Sequence, residues 1–301
     1  MGLRTEMHIR QSRYRTLVLV FALTIFLSTL IIRPVACYAT SPSLPCSRVV
    51  SLAPSITEVL FDLDLGSHVV GTTRYCRYPK AAQEVPHVGG LLDINIEEVI
   101  RRSPDVVFAL SETVLPDELL RRVGVRVIRV DHRSVSGIEQ SYRLIGRECG
   151  VWSLAESRLK EIESRKRLMA ERCVDNQALR FMFVVGHIPG GDGIYISGGD
   201  GFYSDVARLL GGVNVHTART MAVPSVSSEG IIALNPDVIV EIVDPHDKFS
   251  EGEFDRFWRR YKSINAVRQR RIVVLREDYA SVPGPRYIEL IQRLSSVLCE
   301  R

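Results

Sequence analysis

The sequence contains no G-x-S-x-G element, no H-E-x-x-H pair and no Walker loop. The commonest local signatures of a serine hydrolase, a zinc peptidase and a nucleotide hydrolase are therefore missing. Its six cysteines, Cys37, Cys46, Cys76, Cys149, Cys173 and Cys299, form no C-x-x-C pair, which argues against a zinc ribbon or a thioredoxin-type centre. There is no low-complexity tract, and 46% hydrophobic with 25% charged residues is the make-up of a folded chain, so disorder is excluded as the default. One-signed charge is scarce too. Of a formal +4, much sits on Arg4, Arg10, Arg13 and Arg15 near the start, which leaves no basic patch to meet nucleic acid.

What is present begins with export. Residues 17–32 are one uncharged apolar run after a basic start, longer than a usual signal core and slightly short of a spanning helix. Cys37 and Ala39 have the small-residue spacing that a signal peptidase reads, which sets a segment 1–39 apart. Residues 34–37, Pro-Val-Ala-Cys, also approximate a lipoprotein box with Cys37 as lipid acceptor. Cleavage, lipidation and a retained anchor stay open, so membrane association through this segment is one outcome. In an exported protein some of the cysteines pair, in a connectivity the sequence does not give.

From residue 47 the pattern is that of an α/β protein. Short β-branched or continuous apolar runs at 48–52, 69–71, 105–110 and 125–130 alternate with helical spacing at 56–63, 96–101, 115–123 and 137–149. Such alternation predicts a mostly parallel sheet covered on both faces, a first lobe over 47–150. Residues 153–173 have apolar positions at helical intervals with no Gly or Pro, predicting one long helix within a link over 151–176. The alternation resumes at 181–186, with a helix around 205–210, strands at 238–242 and 272–275 and a last helix over 286–298, making a second lobe over 177–301. The two lobes echo each other. Residues 95–107 and 228–239 each read as a short helix with an early glutamate, a Pro-Asp turn and an apolar strand. Two lobes built alike and joined by a single helix place a ligand cleft between them.

No constellation for chemistry emerges. His68, His87, His132, His187, His216 and His246 are widely spaced, so each reads first as an ordinary satisfied histidine. His187 is the exception, since it ends a strand and is placed to face the cleft. Gly198, Gly199 and Gly201 make a glycine-rich turn before a helix, which raises phosphate binding, but no lysine follows in Walker position. Tyr195 and Tyr203 flank that turn as candidates for ligand contact.

The blocks RVVSLAPSITEVLF (48–61), GTTRYCRYP (71–79), VGGLLDINIEEVIRRSPDVVFA (88–109), SGGDGFYSDVARLLGGVNV (197–215) and VSSEGIIALNPDVIV (226–240) occur in this order. Together they make the chain similar to the periplasmic binding proteins of the iron-siderophore, haem and cobalamin uptake class, the helical-backbone receptors. That resemblance implies two rigid lobes on a long helix and a non-enzymatic substrate-binding subunit of an ABC importer. It implies as partners a small metal chelate or corrinoid and a permease dimer with its ATPase, and no cofactor of its own. The alternatives are a membrane-tethered sensor or enzyme domain on the same fold, or a zinc- or manganese-binding receptor.

Residue by residue, the resemblance puts Tyr75 where the family places an aromatic at the cleft. Tyr279 and Arg286 fall in the segment that lines the opposite lobe, Arg286 as a partner for a ligand carboxylate. It implies that Glu97 and Glu229, one per lobe, meet arginines of the two permease subunits. Cobalamin receptors of the class present tryptophans to the corrin ring. The matching positions here are Leu91 and Leu110, while Trp152 and Trp258 fall at the start of the linking helix and in a basic, surface-like stretch.

Overall fold

The structure, a computed structural model, describes residues 45–173, 179–189, 191–218, 221–244 and 251–299. The expected signal or anchor segment 1–39, with Cys37, lies outside them. Among the described residues no helix is long and apolar enough to cross a membrane.

The first lobe runs β1 (Val49–Ser51), α1 (Pro54–Asp62), β2 (Val69–Gly71), α2 (Ile96–Arg101), β3 (Val106–Leu110), α3 (Asp117–Arg122), β4 (Arg126–Val130) and α4 (Val135–Glu148). Its sheet has the order β2-β1-β3-β4 and every pairing is parallel. The β-branched and apolar residues of β1 and β3 are buried on both faces, as a covered parallel sheet requires. Local chemistry sets the helix starts. Pro54 occupies the first turn of α1, where its missing N–H costs nothing. Helix α3 begins only after Pro116, two residues later than the apolar spacing predicts. Helix α4 begins two residues earlier than predicted because Ser134 caps it, its Oγ accepting from Gly137 N at 3.0 Å.

Helix α5 (Trp152–Arg172) is the predicted long helix, 21 residues or roughly 32 Å at 1.5 Å per residue. Its stripe of Ala155, Leu159, Ile162 and Met169 is buried, while the remainder is mostly polar, with Trp152 and Leu168 exposed among it. It touches both lobes: Arg158 donates to the Asp62 carbonyl in the first and Arg165 to Gln292 in the second.

The second lobe runs β5 (Arg180–His187), β6 (Ile194–Ile196), α6 (Phe202–Leu209), β7 (Val213–Asn214), β8 (Ser225–Val226), α7 (Ser228–Leu234), β9 (Val238–Ile242), α8 (Glu251–Trp258), α9 (Asn265–Arg268), β10 (Ile272–Leu275), α10 (Asp278–Ser281) and α11 (Tyr287–Leu298). The sheet order is β10-β9-β5-β6-β8, with β7 beside the start of β5. Strands β10, β9, β5 and β7 are parallel, β6 runs antiparallel to β5, and β8 runs antiparallel to β6 and so in the direction of β5. The second sheet is therefore mixed, because β5 folds back into β6 after the Gly- and Pro-rich segment 188–193.

The echo between the lobes is structural. Asn95 and Ser227 cap α2 and α7, and Ser103 and Asn235 turn the chain with positive φ. Asp105 and Asp237 then each accept backbone N–H groups at the start of a neighbouring central strand, from Ser47 and Arg48 in one lobe and Arg180 in the other. One cluster of buried apolar residues runs through both lobes by way of α4, α5 and α11, including Tyr142, Leu159, Phe183 and Leu290. Two disulfides fasten the far ends: Cys46–Cys149 ties the start of the first lobe to the end of α4, and Cys173–Cys299 ties the end of α5 to the end of α11. Cys76 is a buried thiol between Thr57 and Thr73, and burial pushes its pKa up. Trp258 is a correction. Instead of lying in a surface stretch it is 1% exposed, its indole donating to Glu241 at 2.7 Å.

Candidate functional site

The loops after β1, β2, β3 and β4 all leave the same end of a parallel sheet, the end at which open α/β sheets place their ligands. Two of these loops touch the second lobe. After β1, the start of α1 packs against the 284–286 turn so closely that a Cβ on Gly284 would lie 3.2 Å from Ser55 Cβ. After β4, the carbonyl of Arg133 faces Gly201, where an added Cβ would lie at 2.8 Å. Asp205 on α6 accepts from Val135 N at 2.9 Å, so a carboxylate of one lobe helps cap a helix of the other.

Beneath the first contact is an ion triad centred on buried Arg286 and Glu58, with Asp278 at its exposed edge. Arg286 donates to Glu58 Oε1 at 2.6 Å and to Asp278 at 2.6 and 3.1 Å, with its guanidinium 3.9 Å from the Tyr78 ring centroid. Burial of Glu58 outweighs Arg286 and pushes its pKa up to about 7. Burial also works against the Asp278 charge, but the Arg286 contacts prevail and its pKa falls. Ser55, one turn before Glu58, bonds His132 Nδ1 at 2.8 Å. Burial pulls the His132 pKa down to about 4. Glu58 Oε2, Arg286 Nε and His132 Nε2 are buried without hydrogen-bond partners.

A cleft of about 510 Å³ is lined by Asp131, Arg133 and Ser134 from the first lobe and by Ser197, Asp200 and Met221, among others, from the second. That size falls in the range of small-molecule sites. A recess of about 150 Å³ between α1, α5 and α11 is too small for a macrocycle. Arg133 folds back onto Asp131, donating at 2.5 to 3.1 Å. The second wall is fixed by Asn214, whose Nδ2 donates to Ser197 Oγ, Gly198 O and Ser204 Oγ. In the glycine-rich turn, Gly198 N donates to Ala222 O and Gly199 N to Ala218 O. Those amides are consumed in packing, so the turn is no phosphate cradle.

The residues singled out from sequence separate into groups. Tyr75 and Tyr195 are exposed, at 44% and 39%; Tyr75 stands in the loop after β2, and Tyr195 on β6 is joined by exposed Met221 and Val223 beside β8. Leu91 is exposed and Leu110 half-buried. Tyr203 lines the cleft wall but its hydroxyl donates to Ala280 O at 2.7 Å, and burial raises its pKa. Tyr279 is packed against the core. Arg286 does not stand free for a ligand carboxylate, being 8% exposed and engaged by two carboxylates of the protein. His187 sits 3.2 Å from both oxygens of buried Glu241, with Phe257 against its ring. Among the described residues no three His, Cys, Asp or Glu side chains converge as a metal site. Glu97 and Glu229 are exposed at matching places in the first turns of α2 and α7.

Glu58, His132, Asp278, Asp131 and Asp200 were not singled out. Glu58 and His132 lie beside motif residues but find partners 228 and 77 positions away. No local spacing signals such pairs.

Residues 49–279 match the family model described as periplasmic binding protein. The chain belongs to the periplasmic binding protein family. Its members are binding proteins rather than enzymes. An uncharacterized ABC transporter substrate-binding lipoprotein, YvrC of Bacillus subtilis, is 29% identical over 82% of this chain and 78% of its own length. A vitamin B12-binding protein of Vibrio cholerae is 26% identical over 89% of this chain and 98% of its own. Among solved structures, the periplasmic vitamin B12 binding protein of Vibrio cholerae superposes with a TM-score of 0.71 at 24% identity, covering 84% of this chain and 96% of that one. A periplasmic heme binding protein from Pseudomonas aeruginosa gives 0.71 at 22%, over 84% and 93%. At these identities the two structures speak for the fold.

Proposed function

We propose that the protein is the substrate-binding subunit of an ABC importer, exported across the cytoplasmic membrane. There it captures an iron chelate, as a siderophore or haem, or cobalamin, and delivers it to a permease dimer driven by its ATPase. The observation that carries this reading is the 510 Å³ cleft between two lobes built alike, in a chain of the periplasmic binding protein family. The relatives support it by their names, one an ABC transporter substrate-binding lipoprotein and one a vitamin B12-binding protein. Two disulfides fit an oxidising compartment outside the cytoplasm. The test is titration of the exported protein with haemin, cyanocobalamin and ferric siderophores, followed by fluorescence quenching and ligand absorbance. Saturable one-to-one binding of one class is expected, and failure of every class to bind refutes the reading.

A further inference from the structure

The end of the first lobe away from the cleft carries a surface that ligand capture leaves unused. There Arg121 and Arg122, in the last turn of α3, share one carboxylate, that of Glu118. Arg126 at the start of β4 pairs with Glu148 at the end of α4. Arg147, also in the last turn of α4, holds its guanidinium 5.5 Å from the Trp152 ring centroid, and no salt bridge reaches it among the described residues. The neighbouring pairs Arg129–Asp117 and Arg143–Glu156 are balanced, so this face keeps a surplus of arginine. Apolar side chains are set among the charges: Leu119, Val123 and Trp152 are 46%, 49% and 41% exposed. Offsetting the helix dipole accounts for arginines at the ends of α3 and α4, but not for exposed apolar residues beside them.

The chain from the N-terminal apolar run enters the lobe at this same face. Arg126 donates to Pro45 O at 2.8 Å, and the Cys46–Cys149 disulfide fixes the next residue to the turn between α4 and α5, just before Trp152. Residues 33–44 separate Pro45 from the apolar run that ends at Ile32, a reach of about 40 Å at most. We propose that this face lies against the anionic phospholipid headgroups of the membrane at which the exported receptor is tethered. The arginines meet lipid phosphates, and Trp152 enters the headgroup layer, where an indole finds both an apolar and a wet side. A small charge surplus holds weakly by itself, but the tether makes the contact intramolecular and raises its effective concentration. The cleft loops leave the opposite end of the sheet, so lipid contact leaves the cleft open to ligand. The proposal rests on the exported receptor reading in its tethered form.

The experiment reads tryptophan fluorescence of the full chain, its N-terminal segment retained, in phosphatidylcholine vesicles with and without phosphatidylglycerol and with a nitroxide on the lipid headgroup. The chain has two tryptophans, and Trp258, 1% exposed, supplies the unquenched background. Trp152 emission is expected to be quenched several-fold more with phosphatidylglycerol present than without it, and less as salt is added. Arg122→Gln with Arg147→Gln is expected to erase that difference. Trp152→Phe with Leu92→Trp moves the exposed indole to the fully exposed position 92 at the cleft end, where little quenching is expected in either lipid. Trp152 quenched no more than the Leu92→Trp probe, or quenched equally in both lipids with and without the two arginines, overturns the proposal. Ligand titration of the same protein decides the receptor reading separately.

Discussion

Arg286, at the start of the last helix, spans 228 residues of sequence to meet Glu58 on the first described helix at 2.6 Å, joining the two lobes. Both side chains are almost fully buried, where an ion pair contributes little net stability when intact but its rupture strands a charge. Arg286→Ala is therefore expected to lower unfolding stability by about 3 kcal/mol or more. Glu58→Leu combined with Arg286→Met should recover much of that loss, because both desolvated groups are then removed. Urea denaturation of the single and double variants checks this. A double variant no more stable than Arg286→Ala would contradict it.

The same seam carries two opposed titrations. Glu58, raised to about 7, contributes stability that is full below its unfolded value near 4.5 and is lost as pH rises through 7. His132, lowered to about 4, contributes stability that is present above about 6.5 and is lost as pH falls through 4. Each contributes roughly 3 kcal/mol at full extent, and the slopes cancel between pH 4.5 and 6.5. The protein is expected to show a nearly flat stability profile over that window. Glu58→Gln should turn the profile so that stability rises with pH, and His132→Gln so that it falls. Thermal melts in matched-ionic-strength buffers from pH 4.5 to 7 decide, and parallel profiles for the two variants would exclude the cancellation.

Strands and helices were legible wherever burial imposes a periodic pattern. The predicted strands at 238–242 and 272–275 coincide with β9 and β10, since continuous apolar runs between breakers leave little else for the chain to do. Helix α8 was missed although Phe254, Phe257 and Trp258 have helical spacing, because the arginines that follow, Arg259 and Arg260, made the stretch read as surface. The reversed β6 and its neighbour β8 escaped because strands of three and two residues carry no usable period. At the site, Tyr75 and Tyr195, expected as ligand contacts from the resemblance and from their place beside the glycine-rich turn, are both exposed. The role foreseen for Arg286 gave way because its two carboxylate partners are set by tertiary packing, and nothing within a few residues of Glu58 names its mate.

The disulfides close loops with sequence separations of 103 and 126, long enough that cross-linking restricts the unfolded chain strongly. Replacing Cys173 and Cys299 together by Ser is expected to cost about 2–5 kcal/mol. Cys76 should resist alkylation in the native protein, being 1% exposed, and react on denaturation. Peptide mapping after alkylation under native and denaturing conditions, alongside denaturant curves, tests both statements. Rapid native labelling at Cys76 would contradict its burial.

Glu97 and Glu229 occupy the same place in the two echoed units, the second residue of a short capped helix that leads into a Pro-Asp turn and a buried strand. Both are exposed. Glu229 also accepts from Ser227 at 2.9 Å, and hydrogen bonds from its own backbone N–H and from that hydroxyl lower its pKa, so it is anionic at neutral pH. A carboxylate in the first turn offsets unpaired helix N–H groups by a few tenths to about 1 kcal/mol, and if that were its whole purpose, substitution would cost a little stability and nothing else. The docking role proposed for the pair makes a different prediction. Two like charges held at a set distance by the ion triad and by α5 can read two permease subunits together, contributing through complementary charge to encounter and register. Glu97→Ala with Glu229→Ala is therefore expected to leave ligand affinity and melting temperature nearly unchanged while abolishing uptake, and each single variant to lose part of it. Uptake, ligand binding and stability are to be measured separately on the same variants. Normal uptake with both carboxylates removed would assign them to helix capping alone, whereas charge reversal to Lys at both positions should block transport more completely than Ala if arginines are what they meet.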